Sequence, residues 1–210
     1  MSLRQLVLEI SPPPEPAFDG FITGRNDELI AKLKDVAAGR VAETVVYLWG
    51  ERGSGRSHLL GATLRAAGDP ARLTIADDVD ALGEDEQIAL FNRINEIREA
   101  HAGQRETLVA AGSAPPAQLA LREDLKSRLA WGLVYQVRTL TDPEKAGYLR
   151  DEATRRGLAI SDEVVAYLLT HVRRDLPTLV AILTHLDEYS LSRQRPLTLP
   201  LVREALAALG

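Results

Sequence analysis

The chain has 210 residues, of which 45% are hydrophobic and 26% charged, and its formal net charge at pH 7 is −5. This composition is typical of a folded domain with a sizeable core, and it excludes a disordered chain. The acidic balance argues against nonspecific nucleic-acid binding, and the absence of cysteine excludes disulfide scaffolds, thiolate zinc sites and cysteine nucleophiles.

The first segment, residues 1–16, is predicted to be a detached arm with a proline-rich linker. Its opening residues are short and apolar, and four prolines follow them, at Pro12, Pro13, Pro14 and Pro16. In an extended arm, Leu6 and Leu8 lie on one side and can enter an apolar pocket of a partner, while the Gln5 amide hydrogen-bonds. The alternative is an edge strand or a frayed terminus.

The second segment, residues 17–141, alternates predicted helices with predicted strands. The helices are expected at 26–38, 58–67 and 84–100, and the strands at 44–49, 72–76, 107–111 and 133–137. Strands that alternate with helices imply right-handed crossovers and therefore a parallel sheet. The continuous β-prone run 44–49, ended by Gly50, is typical of a strand buried on both faces.

The last segment, residues 142–210, contains predicted helices at 143–156, 161–172, 176–192 and 200–209, and no strand candidate. Asp142 and Pro143 favour a helix start with proline in the first position. Ser161 and Asp162 offer an N-cap to the second helix. We expect an all-helical lid that follows an α/β core.

The strongest local motif joins the strand 44–49 to the next helix and has the spacing G-x-x-x-x-G-basic-S. Its glycines allow successive backbone N–H groups to face phosphate oxygens, and the helix N-terminus adds partial positive charge. Ser57 would hold Mg²⁺ through its hydroxyl, and Arg56 stands where the common motif has lysine. The predicted nucleotide-binding residues here are Gly50, Gly53, Ser54, Gly55, Arg56, Ser57 and His58. The alternative is a glycine-rich turn without a ligand.

A pair of carboxylates follows the strand 72–76 and fits the second half of such a site. Asp77 would hold Mg²⁺, and Asp78 would orient or deprotonate the attacking water. Because Asp80 and Glu84 follow closely, the alternative is an acidic loop at a strand end.

Together, these features resemble the AAA+ ATPase core of the DnaA family, and most closely its Hda group of regulatory proteins. The resemblance covers residues 3–209 and includes the segments 18–24, 55–60, 115–119, 124–133 and 173–176. It implies an α/β AAA+ fold, with a P-loop parallel-sheet core and a C-terminal helical lid. It also implies that Phe21 lies near adenine and that Gln5, Leu6 and Leu8 bind the DNA polymerase sliding clamp.

The resemblance assigns roles to two arginines. Arg128 matches an arginine finger, which would reach the nucleotide of a neighbouring molecule and stabilise charge at its γ-phosphate. The alternative is a surface arginine on a helix whose other charged residues, such as Glu123, form local ion pairs. Arg174 matches the sensor 2 arginine, which contacts the molecule's own nucleotide. Arg173 is its competitor, and either could instead pair with Asp175 or Glu188.

Two departures from the family bear on hydrolysis. Ser57 and Asp77 are separated by 77 − 57 = 20 positions, too few for the extra strand and helix that the family places there. That strand lies at the sheet edge, so its loss should leave the central site intact and expose a different edge. Ser113 stands where the family has an acidic or amide sensor 1 residue. Efficient intrinsic hydrolysis is therefore not expected.

The leading hypothesis is a cytoplasmic adaptor that binds ADP or ATP with Mg²⁺, docks on the sliding clamp (the β subunit) and presents Arg128 to ATP-bound DnaA. Hydrolysis in DnaA would then repress re-initiation of replication. The alternatives are a self-sufficient AAA+ ATPase or helicase loader that works as a homodimer or oligomer, and a noncatalytic nucleotide-binding scaffold. Direct DNA binding is not expected, because the charge is unfavourable and no helix-turn-helix follows the predicted lid.

Overall fold

The computed structural model describes residues 15–100, 106–172 and 176–208. The chain divides into two compact units, one comprising Glu15–Thr139 and the other beginning at Leu140. In the part of the chain that the structure describes, no helix is long and apolar enough to cross a membrane.

The first unit is built on a parallel sheet of four strands in the order β2-β3-β1-β4. Its strands are β1 (Val45–Trp49), β2 (Leu73–Ala76), β3 (Thr107–Gly112) and β4 (Leu133–Gln136). Each differs from its predicted range by one residue at one end. The central strands β1 and β3 are almost wholly buried, which explains their continuous apolar sequences.

Four helices cover the two faces of this sheet: α1 (Asp27–Ala37), α2 (Arg56–Ala66), α3 (Glu84–Glu99) and α4 (Glu123–Ala130). Alternate residues of β1 face opposite ways. Val46 and Leu48 share an apolar cluster with residues of α1 and α2, whereas Val45 and Tyr47 share another with residues of α3 and α4. Both faces are therefore closed, as a parallel sheet requires.

Strand β2 lies at the edge of the sheet and pairs with β3. All four of its residues are half-buried. Only α2 and a short 3-10 turn, Pro70–Arg72, lie between the phosphate-loop motif and β2. This agrees with the expectation that the short spacing from Ser57 to Asp77 removes an outer strand and exposes the next one.

The second unit contains the helices α5 (Asp142–Arg155), α6 (Asp162–His171), α7 (Leu176–Arg193) and α8 (Leu199–Ala207). They share an apolar core whose fully buried members include Leu149, Leu168, Leu183 and Leu201.

The starts of the first two lid helices are defined by side-chain caps. Thr141 and Glu144 form a reciprocal capping box at α5, so Pro143 occupies the second helical position. The predicted first position was wrong, because Thr141 rather than Asp142 caps the helix. Ser161 caps α6 as predicted, accepting a hydrogen bond from the Val164 amide at 3.3 Å.

Candidate functional site

The turn between β1 and α2 is shaped by its glycines. Gly53 and Gly55 have φ values of +81° and +97°, which L side chains rarely adopt. At Gly50 a Cβ would lie 2.6 Å from the Val137 carbonyl oxygen and 2.9 Å from Ser54 Oγ. Helix α2 starts at Arg56, two residues earlier than predicted, directly after the left-handed Gly55. Such a turn at a helix N-terminus is a ready site for an anion.

Ser54 carries an independent sign of a ligand. Ser54 is only 6% exposed, and its hydroxyl oxygen is buried without a hydrogen-bond partner in the described structure. Its backbone amide donates to the Glu51 carbonyl oxygen at 3.1 Å, inside the same turn. Buried hydroxyls are almost always satisfied in proteins, so a phosphate oxygen is a fitting partner for this group.

Phe21, predicted to lie near adenine, packs against the same turn. A Cβ at Gly55 would come within 2.6 Å of Phe21 Cε2, and the centroids of the Phe21 and His58 rings are 5.9 Å apart. The imidazole Nε2 of His58 is 2.8 Å from the Ala17 carbonyl oxygen. The segment that precedes α1 is thereby anchored to the first turn of α2.

A cavity of about 300 Å³ adjoins the turn and is lined by Arg25, Glu51, Gln136, Val137, Arg138 and Thr139. Asn26, which is 3% exposed, holds one wall in place. Its side-chain amide donates to the carbonyl oxygens of Thr23 and Arg138 at 2.9 Å each, and its oxygen accepts from the Arg138 amide at 2.8 Å. The sequence analysis did not identify Asn26 or Arg25. Asn26 precedes α1 but makes no side-chain cap bond to it, so a cap signal would not have revealed this role.

Arg56 connects the turn with the end of β2. Its side chain is 12% exposed, and Nη2 lies 3.5 Å from Asp78 Oδ1. Its other terminal nitrogen, Nη1, is buried without a hydrogen-bond partner in the described structure. Asp78 has the left-handed conformation φ 43°, ψ 49°, which turns the chain sharply after the strand.

That turn brings Asp80 to the end of β3, a position that the sequence analysis did not identify. Asp80 Oδ1 accepts a hydrogen bond from the Ser113 amide at 2.9 Å. Burial would raise the pKa of the Asp80 carboxyl, but hydrogen bonds from Ser113 and the charge of Arg56 hold that pKa below its ordinary value. The only sequence signal was that Asp80 is a third acid close to the predicted pair.

Tyr47, on β1, lies close to Asp80 and Arg56. Its hydroxyl donates to the Ala114 carbonyl oxygen at 2.9 Å, and a Cβ at Gly112 would collide with it. Burial and the nearby Asp80 carboxylate raise the pKa of Tyr47 far above its ordinary value, although the charge of Arg56 acts in the opposite direction. Tyr47 is therefore a neutral donor that fixes the loop following β3.

The two residues predicted to bind a metal are accessible to a ligand. Ser57 and Asp77 are both exposed, and Asp77 Oδ1 accepts the Asp78 amide at 2.9 Å. Asp78 is already paired with Arg56. No group of three or more histidine or acidic side chains suited to a metal ion occurs in the described ranges. The turn thus fits a nucleotide's phosphates. Because Mg²⁺ beside phosphates is bound by one or two protein ligands together with waters, Ser57 and Asp77 stay a prediction.

Arg128 lies on α4 and is held by an aromatic and amide surface. Its Nε donates to Asn95 Oδ1 at 2.8 Å, and its guanidinium carbon is 3.8 Å from the centroid of the Trp131 ring and 5.2 Å from that of Phe91. The Trp131 side chain is 55% exposed, and Arg98 also contacts it, at 4.8 Å.

The other charged residues of this helix do form the expected local ion pairs. Lys126 Nζ is 2.6 Å from Glu123 Oε1, and Arg122 Nη2 is 2.9 Å from Asp124 Oδ2. Arg128 instead makes contacts that reach 33 positions back along the chain, so its environment differs from that of an ordinary helical surface arginine. The predicted residues Gln5, Leu6, Leu8 and Arg174 lie outside the described residues.

Comparison with known proteins supplies independent evidence. Residues 142–206 match the family model described as "Hda, lid domain". Domain III of the Thermotoga maritima replication initiation protein DnaA is similar in structure, with a TM-score of 0.71, 17% sequence identity, and coverage of 95% of this chain and 99% of that chain. AMPPCP-bound DnaA from Aquifex aeolicus has a TM-score of 0.67 and 18% identity, covering 86% of this chain and 68% of that one.

A further similar structure is the Holliday junction branch migration motor RuvB of Thermotoga maritima. Its TM-score is 0.58 at 14% identity, and the match covers 93% of this chain and 72% of that chain. These likenesses confirm the predicted fold class, a P-loop parallel-sheet core of the AAA+ type with a C-terminal helical region.

Proposed function

We propose that this Hda-like, DnaA-related AAA+ protein is a cytoplasmic, nucleotide-bound adaptor that docks on the sliding clamp and promotes ATP hydrolysis by DnaA. The observation that carries the proposal is the glycine-shaped phosphate turn, with its unsatisfied Ser54 hydroxyl, in a chain whose residues 142–206 match the Hda lid. In this scheme residues 1–16 are the clamp-binding arm, 17–141 the nucleotide-binding core and 142–210 the lid.

The nucleotide acts as a ligand that orders the protein and is not itself turned over efficiently. We assign ADP to the site, with its phosphates at residues 50–57, its adenine near Phe21 and a phosphate contact from Arg174. Asp78, the candidate for activating water, is ion-paired with Arg56. Ser113, at the sensor 1 position, donates its backbone N–H to the Asp80 carboxylate. Both features favour hydrolysis in a partner's site over hydrolysis in this one.

Arg128 is the residue that acts on the partner. An arginine supplied from a neighbouring molecule accelerates nucleotide hydrolysis by roughly 10³–10⁵. Its contacts with Asn95 and Trp131 hold the guanidinium at a half-exposed aromatic surface, available to a protein that covers Trp131. An ion pair between Arg128 and a carboxylate of its own chain would have argued against this role.

The test of the finger uses ATP-loaded DnaA, clamp assembled on DNA, and this protein bound to ADP. We expect the wild-type chain to accelerate hydrolysis and Arg128→Ala to abolish the acceleration. Arg122→Ala is the matched control, because it removes an arginine from the start of the same helix, where it pairs with Asp124. Equal acceleration by wild type and Arg128→Ala would refute the role of Arg128.

The arm is tested by capture of the chain on immobilised clamp. Leu6→Ala and Leu8→Ala should each weaken capture, because an extended arm presents alternate residues to one pocket. Gln5→Ala should weaken it through loss of the hydrogen bond that the Gln5 amide makes. Val7→Ala is the matched control, since Val7 points to the other side of such an arm. If Val7→Ala weakened capture as much as Leu6→Ala, the assigned contact would be wrong. ATP turnover by the chain alone, rising with its concentration, would instead favour the self-sufficient ATPase.

A further inference from the structure

The carboxylate next to the predicted magnesium ligand Asp77 is paired with a cation of the chain itself. Arg56 projects from the first position of α2 towards the acidic end of β2, with Nη2 3.5 Å from Asp78 Oδ1. Its side chain is only 12% exposed, so this charge is largely removed from water. A desolvated guanidinium interacts more strongly with nearby anions than an exposed one does.

The electrostatic reach of Arg56 extends beyond Asp78. Against burial, hydrogen bonds from Ser113 hold the pKa of Asp80 below its ordinary value, and the charge of Arg56 adds a smaller contribution in the same direction. Asp78 and Asp80 thus both have partners within the protein. The remaining acid, Asp77, accepts the Asp78 backbone amide. Each of the three carboxylates has a partner within the protein, so a hydrated Mg²⁺ would have to compete with that partner.

One donor of Arg56 is left for a ligand. Nη1 is buried and has no hydrogen-bond partner in the described structure, and an ionised donor in that state strongly favours an anionic acceptor. The adjacent turn, with its left-handed glycines and the unsatisfied Ser54 hydroxyl, offers neutral donors to the same anion. The diphosphate of a nucleotide supplies acceptors for both sets of donors.

We infer that this chain binds a nucleoside diphosphate without a divalent cation, with the Arg56 guanidinium bridging the diphosphate and Asp78 in the place of Mg²⁺. This inference rests on the proposed nucleotide site. Lysine at this position is a compact point charge that does not span two groups in this way, whereas the planar fork of arginine can. The substitution of arginine for lysine in the motif therefore replaces the metal instead of merely preserving a positive charge.

The test is calorimetric titration of the full chain, first stripped of nucleotide, with ADP in magnesium buffer and in EDTA buffer of equal ionic strength. For the wild type we expect the two Kd values to agree within about twofold. For Arg56→Lys we expect Kd in EDTA to be at least about tenfold weaker than in magnesium. Arg65→Lys, the same exchange at the far end of α2, where the side chain pairs with Glu15, should behave as wild type.

A second readout uses Mn²⁺ as a paramagnetic probe added with ADP. The wild-type complex should leave the Mn²⁺ electron paramagnetic resonance spectrum as it is with ADP alone, and Arg56→Lys should immobilise the ion. A wild-type Kd at least about tenfold weaker in EDTA would overturn the inference and leave the nucleotide site standing. Equal Kd values in both buffers for Arg56→Lys would overturn the role of Arg56. Absence of ADP binding in either buffer would instead refute the proposed function.

Discussion

Replacing Gly55 with alanine separates the backbone of the phosphate turn from its side chains. Gly55 has φ +97°, and a Cβ there would come within 2.6 Å of Phe21 Cε2. A left-handed conformation costs a non-glycine residue roughly 1–2 kcal/mol, and the Phe21 ring must also move. For a chain of this size, each 1 kcal/mol lowers Tm by about 2–4 °C, so we expect Tm to fall by about 2–8 °C.

The functional consequence is a loss of ADP affinity. Relaxing the strain rotates the backbone amides away from the point on which they converge, so we expect Kd for ADP to weaken by at least about tenfold. Gly39→Ala is the matched control. Gly39 also has a left-handed φ, +67°, but nothing lies within 4 Å of its Cβ position and it follows the C-terminus of α1.

Gly39→Ala should therefore lose stability by the same backbone penalty and keep its affinity for ADP. Thermal unfolding and calorimetric titration of both variants measure the two effects separately. If Gly55→Ala bound ADP within about twofold of wild type, the turn would not be the nucleotide cradle, whatever happened to its Tm.

Four other substitutions, one of them a control, test the energetics. Gly147→Ala, inside α5 with open space around the new methyl group, should stabilise the lid by about 0.5–1 kcal/mol in thermal unfolding. Thr141→Ala removes the capping box with Glu144 and should lower the free energy of unfolding by about 0.5–2 kcal/mol. Thr198→Ala is its control and should change that free energy little, because Thr198 makes no side-chain cap bond to α8. Because the pKa of Asp80 is lowered in the folded protein, its stabilising contribution is complete above the ordinary aspartate pKa of about 3.9 and is lost as pH falls through the lower folded value. Urea unfolding of Asp80→Asn should therefore differ from wild type at neutral pH and converge with it in acid; a constant difference down to the lowest pH would contradict this.

The secondary structure was largely predictable, because its signals are local. The apolar run that ends at Gly50 and the helical spacing of Leu29, Ile30 and Leu33 depend on neighbouring residues, and both segments formed as expected. The glycine turn between β1 and α2 was predictable for the same reason, and its binding of phosphate stays a prediction. Thr141 was missed as a cap because Asp142 and Pro143 offered a competing helix start one residue later.

The contacts of the charged side chains were not predictable in the same way. The sequence predicted Arg128 as an arginine finger, with a surface arginine of its own helix as the alternative, and neither interpretation indicated the contact with Asn95 on α3. Asp80 lies in the site because Asp78 adopts a left-handed conformation. Two consecutive aspartates in a sequence do not predict that conformation. Such contacts depend on how elements pack, and periodicity along a single element carries no information about them.

The chain contains two tryptophans, and they serve as natural optical reporters of separate events. Trp49 ends β1 directly before the phosphate turn, while Trp131 stands 55% exposed beside Arg98 and Arg128. Covering Trp131 removes water from its indole and shifts its emission to shorter wavelength, whereas filling the turn perturbs Trp49. With each replaced in turn by phenylalanine, intrinsic fluorescence can time ligand loading and partner engagement without an attached dye.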